Sequence, residues 1–102
     1  MTQSPKFELI LSTNAKNQIQ AIMEDDSKEG LKKQLKKSFG YLAVNPNHPG
    51  LKSHSISQFD KIFGGKVFSS YAQNNTPQAY RILWLYGPKP RQITIVAVIP
   101  HY

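Results

Sequence analysis

Two side chains able to transfer protons directly follow an apolar segment of this chain. Residues 93–99 read Ile-Thr-Ile-Val-Ala-Val-Ile, rich in β-branched side chains and apolar on both faces, as in the interior strand of a sheet. His101 and Tyr102 come after Pro100, so a fixed strand end would hold an imidazole and a phenol near one sheet edge. We interpret them as groups for acid–base chemistry, and the alternative is that they only cap the strand.

Arg81 and Lys66 are the cations best placed to bind a phosphate group. The segment from Ala79 to Tyr86 alternates as a strand does, and its bulkier face carries Tyr80, Ile82, Trp84 and Tyr86. If that face forms the core, Arg81 lies on the open face, where a guanidinium can hold phosphate through paired hydrogen bonds. Lys66 opens the preceding strand, near the far end of the Arg81 strand. The alternative for Arg81 is an ion pair with a carboxylate.

Further positive or titratable groups are candidate contacts for RNA. Lys52 and His54 follow a loop rich in proline and asparagine, and His54 has the alternative of a simple surface residue. A predicted helix presents a basic stripe formed by Lys32, Lys33, Lys36 and Lys37. The alternative for this stripe is a solvated helix face.

Composition limits the chemistry that these residues can perform. The 102 residues fit a single domain spanning 1–102, and 13 Lys and Arg against 6 Asp and Glu give a net charge of +7, which favours polyanions or an acidic partner. Cysteine, a signal-peptide core and a membrane-length apolar run are all absent, so we expect a cytoplasmic protein that does not enter a membrane. No phosphate loop, metal-ligand spacing or nucleophile elbow occurs. These exclusions leave acid–base chemistry without metal or cofactor, such as cleavage of RNA by its own 2′-hydroxyl.

The chain begins with a predicted strand and two predicted helices. Phe7 to Ser12 alternates as a short strand, and Thr13 and Asn14 can cap the helix that follows. The apolar face of that helix comprises Ala15, Ile19, Ile22 and Met23. A second helix is expected to begin near Lys28, with its apolar face formed by Leu31, Leu35, Phe39 and Leu42.

The second half of the chain predicts an antiparallel meander. Asn45 to Gly50 stops the helix, and Leu51 to Asp60 is expected to form a short edge strand or a connector. Strands are predicted over Val67–Ala72, Ala79–Tyr86 and Ile93–Ile99, with turns at residues 74–77 and 87–90. The predicted fold class is α+β: an N-terminal strand, two helices and a three-stranded antiparallel meander, whose edge the N-terminal strand is free to join.

Taken together, a set of short motifs resembles the RelE/ParE superfamily of toxins from bacterial toxin-antitoxin systems. The motifs are Asn45-Pro46, Pro49-Gly50-Leu51-Lys52, Gly65-Lys66-Val67-Phe68, Tyr80-Arg81-Ile82 and Ile99-Pro100-His101-Tyr102. The resemblance covers nearly the whole chain. It implies a RelE/ParE-like fold, neutralisation by a cognate antitoxin and, in the RelE branch, mRNA interferase activity: cleavage of messenger RNA in the ribosomal A site.

The resemblance also implies roles for single residues. Arg81 matches the strand arginine that contacts phosphate, Lys66 matches a lysine of the basic active site, and His101 and Tyr102 fall where the family places C-terminal catalytic or basic residues. Phe68 stands where RelE commonly has a second lysine, and the C-terminal helix that supplies a tyrosine there has no counterpart, so Tyr102 is a substitute candidate. Two alternatives stay open: a ParE-like toxin that inhibits DNA gyrase without a nuclease site, and a degenerate member that only binds its antitoxin.

Overall fold

The chain folds into a five-stranded mixed sheet with two helices packed on one face. The computed structural model describes residues 6–72 and 79–100. Its helices and strands are β1 (Glu8–Leu11), α1 (Thr13–Met23), α2 (Glu29–Val44), β2 (His54–Ser55), α3 (Asp60–Phe63), β3 (Phe68–Tyr71), β4 (Tyr80–Tyr86) and β5 (Gln92–Pro100). The strand order is β1-β5-β4-β3-β2, with β1 parallel to β5 and the other neighbours antiparallel. The predicted α+β class is confirmed, with β1 joined to the meander at β5, while β2 adds a short edge strand.

The two predicted helices form close to their expected positions. Ser12, rather than Thr13 or Asn14, caps α1, because its side chain accepts a hydrogen bond from the Ala15 amide. Along α1 the buried residues include Ala15 and Ile22, but Met23 is exposed, so its predicted place in the core is wrong. One residue turns a helix by about 100°, which carries Met23 away from the face that Ile22 buries.

The main core lies between these helices and one face of the sheet. Leu31, Leu35 and Leu42 of α2 pack there against the aromatic face of β4. Within that face Ile82 and Trp84 are buried as predicted, whereas Tyr86 is 50% exposed at the strand end. Each fully buried leucine stabilises the fold by about 1.5–3 kcal/mol. No helix in the described part of the chain is long and apolar enough to cross a membrane.

A bulge in β5 changes which of its residues face the helices. Leu83 pairs with Ala97 but Trp84 pairs with Ile95, so Val96 is an extra residue in the ladder. The Val96 carbonyl instead accepts a hydrogen bond of 2.9 Å from the Asn14 side chain of α1. The bulge puts apolar side chains on both faces of β5, which explains why its sequence shows no alternation.

The sequence analysis predicted that the second face of the sheet is open. In the structure this face is covered along part of its length. The segment around α3 covers part of it with Phe59 and Phe63, which pack on a second core that includes Leu83. This second core does not include Arg81, which lies two residues before Leu83 on the same face of β4. One end of the face is therefore left for polar groups.

A buried relay of hydrogen bonds fixes the loop before β2 to the sheet. The Trp84 indole donates to Ser70 Oγ at 2.8 Å, and the two hydroxyls of Ser70 and Ser53 lie 2.6 Å apart. Ser53 donates its hydroxyl hydrogen to the Pro46 carbonyl at 2.8 Å. The hydrogen between the two serine oxygens must therefore come from Ser70. Each hydroxyl thereby donates once and accepts once.

We predict that Ser70→Ala lowers the free energy of unfolding by about 1–3 kcal/mol, because it leaves the Trp84 indole buried without an acceptor. Urea denaturation monitored by tryptophan fluorescence measures the change. Ser57→Ala is the matched control, since this exposed serine should alter stability by no more than about 0.5 kcal/mol. Equal small effects of the two substitutions would contradict the relay.

Candidate functional site

Arg81 is a buried arginine with no carboxylate partner among the residues that the structure describes. Its residue is only 7% exposed, and its Nη1 donates to the carbonyls of Ala79 and Tyr80 at 3.2 and 3.4 Å. All 6 acidic side chains of the sequence lie in the described part of the chain, and none of them forms an ion pair with Arg81. The alternative prediction of an Arg81–carboxylate pair is therefore wrong for every Asp and Glu side chain. A buried guanidinium that lacks an anion is suited to bind one.

Tyr71 brings two cations together on one aromatic ring. It is the cross-strand neighbour of Arg81, and the guanidinium carbon lies 3.7 Å from the ring centroid. The Lys52 ammonium lies 5.5 Å from the same centroid. Both distances are within the range of cation–π attraction. Sequence reasoning missed Tyr71, because only the β3–β4 register makes it the partner of Arg81.

Lys52 reaches this ring from a strained backbone position. Its φ and ψ are 48° and 45°, in the left-handed region that favours glycine, and it follows the short helical turn Pro49–Leu51. A non-glycine residue there costs roughly 1–2 kcal/mol. The loop is held in place by the Ser53 hydroxyl next to Lys52. The fold thus maintains an unfavourable conformation at a predicted RNA contact, as is common in functional sites.

His54 occupies the same face of the sheet at its β2 edge. It pairs in register with Ser69, whose neighbour two residues later is Tyr71. His54 Nδ1 lies 3.0 Å from the Lys52 carbonyl, which can only accept, so this contact requires a hydrogen on Nδ1. In the neutral ring Nε2 then keeps its lone pair, as a general base requires. Ser69 Oγ, fully buried, has no partner among the described residues.

Lys66 does not join Arg81. The strand β3 begins only at Phe68, which pairs with Trp84, so Lys66 precedes the strand at the end opposite the Tyr71–Arg81 pair. Its ammonium instead lies 5.5 Å from the ring of Phe68. The two predicted phosphate-binding cations therefore lie at opposite ends of the β3–β4 pair.

The C-terminal strand ends beside Arg81, which pairs with Ile99. Pro100 at the end of β5 pairs with Tyr80, the residue before Arg81. His101 and Tyr102, which follow Pro100, lie outside the described residues. The strand before them was predicted to be interior to the sheet. This prediction is confirmed, because β5 lies between β1 and β4.

Three of the four predicted lysines of α2 are exposed. Lys32 is half-buried and donates a hydrogen bond of 2.8 Å to Glu29, which lowers the pKa of that carboxyl. Lys33, Lys36 and Lys37 have no carboxylate partner in the described part of the chain. Ser38 of α2 donates to the Tyr71 carbonyl at 3.0 Å, which places this helix beside the candidate site.

The arrangement as a whole favours an oxyanion over a metal ion. Arg81 and Lys52 share an aromatic contact, and His54 adds a titratable group on the same face. Among residues 6–72 and 79–100, no three His, Asp or Glu side chains cluster as metal ligands would. The donors present match those that bind phosphate and stabilise negative charge as it develops.

Comparison with known proteins identifies the fold. No protein-family model matches the chain, and no curated protein matches it. Among solved structures, a YoeB/ParE toxin from Agrobacterium tumefaciens is similar, with a TM-score of 0.71 and 9% sequence identity over 94% of this chain and 100% of that chain. The predicted RelE/ParE-like fold is thereby confirmed.

We predict that phosphate or sulfate raises the melting temperature through Arg81. An anion at ten times its dissociation constant adds about 1.4 kcal/mol to the free energy of unfolding. Each kcal/mol raises the melting temperature of a domain of this size by about 4–8 °C. Thermal unfolding in phosphate and in chloride at equal ionic strength measures the shift, which Arg81→Gln should abolish. The matched control Arg91→Gln changes an exposed arginine and should retain it. The same shift in both variants would argue against an anion site at Arg81.

Proposed function

We propose that this protein is the toxin of a toxin-antitoxin system and cleaves messenger RNA on the ribosome by acid–base chemistry without a metal ion. The observation that carries this proposal is the buried Arg81, which contacts Tyr71 beside Lys52 and has no carboxylate partner in the described part of the chain. The fold shared with a YoeB/ParE toxin supports the toxin assignment. The net charge of +7 supports a polyanionic substrate.

The proposed reaction is an internal transesterification of the RNA, in which the 2′-oxygen replaces the 5′-oxygen on phosphorus. A base removes the proton of a ribose 2′-hydroxyl, the 2′-oxygen forms a bond to phosphorus, and the bond from phosphorus to the 5′-oxygen breaks. An acid then protonates that oxygen, which leaves a 2′,3′-cyclic phosphate and a 5′-hydroxyl. Arg81 and Lys52 stabilise the additional negative charge on phosphorus in the transition state.

Two imidazoles would divide the proton transfers. His54 Nε2, with its lone pair set by the Lys52 contact, accepts the 2′-hydroxyl proton, and His101 protonates the leaving oxygen. Tyr102 donates a hydrogen bond to the phosphate. Lys66, at the other end of the β3–β4 pair, attracts the RNA rather than the scissile phosphate.

We further propose that an antitoxin neutralises the protein by covering its basic surface. Lys37 of α2 and Tyr71 line the same cavity, and Ser38 joins α2 to the end of β3, so one segment can contact this lysine and the cations around Tyr71. An acidic, amphipathic segment is the complementary partner. Such a segment would compete with RNA for the same cations.

We predict that Arg81→Ala lowers messenger RNA cleavage by about 10²–10³-fold, the cost of removing one donor to a developing oxyanion. The assay induces the protein in bacteria and maps the 5′ ends of translated messages by primer extension. Arg91→Ala, which removes an exposed arginine from the turn before β5, should cleave as the wild type does. Intact messages in arrested cells would refute the proposal, and loss of gyrase supercoiling in that case would identify the ParE-like alternative.

We predict that His101→Gln lowers cleavage by about 10²–10⁴-fold, the usual contribution of a general acid. Tyr102→Phe should have a smaller effect, since it removes a single hydrogen bond. His101→Gln should keep the phosphate-dependent melting shift, because that shift depends mainly on Arg81, whereas Tyr102→Phe should reduce it slightly through the lost hydrogen bond to phosphate. Undiminished cleavage by His101→Gln would exclude this residue as the acid, and a lost melting shift would indicate that the substitution disturbs the phosphate site instead.

A further inference from the structure

A small polar cavity lies between α2 and the end of β3, next to the candidate site. Its volume is about 170 Å³, and its walls include Gln34, Lys37, Tyr41, His48 and Tyr71. Pockets for drug-sized ligands measure about 300–1,000 Å³, so this cavity has room for a single ring system rather than a complete nucleotide. Tyr41 packs against the main core, whereas Gln34, Lys37 and His48 belong to neither core.

The cavity has a preorganised aromatic wall. The rings of Tyr41 and His48 are stacked, with centroids 3.9 Å apart and planes inclined by 8°. The Gly50 amide donates to His48 Nδ1 at 3.0 Å, so the hydrogen of the neutral ring must be on Nε2. His48 therefore presents one hydrogen-bond donor from a ring whose orientation is fixed.

Two polar side chains of the lining are not committed to protein partners. Gln34 forms no side-chain hydrogen bond, and Lys37 pairs with no carboxylate, within the described part of the chain. The Lys37 ammonium lies 5.8 Å from the Tyr41 centroid. Gln34 can thus bind a ligand without losing a side-chain hydrogen bond, and Lys37 can do so without losing an ion pair.

Tyr71 joins the cavity to the proposed phosphate site. Its ring contacts Arg81, it also lines the cavity, and its carbonyl accepts a hydrogen bond from Ser38 on α2. The geometry required is that of a nucleotide that passes around the end of β3, with its phosphate at Arg81 and its base in this cavity. Aromatic walls with adjacent hydrogen-bonding groups are what unstacked RNA bases require.

We propose that this cavity binds the base of the nucleotide adjoining the phosphate at Arg81 and that it selects guanine, an inference that rests on the proposed function. Lys37 and His48 Nε2 supply donors, and guanine presents the acceptors O6 and N7 on one edge. Adenine has an amino donor in place of O6 and leaves one of these donors unpaired. Gln34 supplies an amide able to donate and accept.

The test measures, by isothermal titration calorimetry, the affinity of the full chain for guanosine 3′-monophosphate, adenosine 3′-monophosphate and inorganic phosphate. We expect guanosine 3′-monophosphate to bind about tenfold more tightly than the adenosine compound, as one good base contact provides. Gln34→Ala and Lys37→Met should remove this preference and leave binding of inorganic phosphate unchanged. Lys16→Met is the charge-matched control on α1 and should keep the preference.

The outcomes separate this inference from the proposed function. Equal affinity for the two nucleotides, or a preference that survives both Gln34→Ala and Lys37→Met, would overturn the base site. If Arg81→Gln leaves phosphate binding unchanged while the guanine preference persists, the phosphate site fails and the base site stands. Circular dichroism of each variant establishes that the fold is intact, and an unfolded Gln34→Ala is replaced by Gln34→Met, which removes the amide and keeps the length of the side chain.

Discussion

The contact between the Arg81 guanidinium and the Tyr71 ring is the interaction on which the candidate site depends. A charge that is only 7% exposed has lost most of its hydration, which is costly unless neighbouring groups compensate. The aromatic ring at 3.7 Å and two backbone carbonyls provide that compensation. They leave the net positive charge unneutralised, whereas an Asp or Glu partner would cancel it. The site can therefore attract an anion strongly, because the described residues satisfy the guanidinium without one.

This contact exists only in one register of the sheet. A shift of one residue between β3 and β4 would send Tyr71 and Arg81 to opposite faces, since side chains alternate along a strand. The register is fixed from the helix side, where Ser70 of β3 accepts a hydrogen bond from Trp84 of β4. The same serine continues the relay to Ser53, which holds the loop that carries Lys52. One buried network thus aligns the arginine, the tyrosine and the lysine.

The sequence contains the signals for the elements but not for how they meet. Helix α2 was predictable because its repeat is complete within one stretch, with buried Leu31, Leu35 and Leu42. The bulge at Val96 was not, because a segment apolar on both faces has no phase to disturb. The contact of Arg81 with Tyr71 depends on pairing between separate strands, which local periodicity cannot specify. The covering of the second face had a signal that was overlooked, since Phe59 and Phe63 stand four residues apart, one helical turn.

The division of the second sheet face separates stability from function. Phe59, Phe63 and Leu83 bury apolar surface at one end, where substitutions would remove hydrophobic contacts. Arg81 and Lys52 lie at the other end, outside both cores, where a buried charge and a left-handed backbone both oppose folding. Residues that lower stability persist in a small domain only where the rest of the fold compensates. The two cores allow this chain of 102 residues to hold such a site, and an anion bound to it would relieve part of the cost.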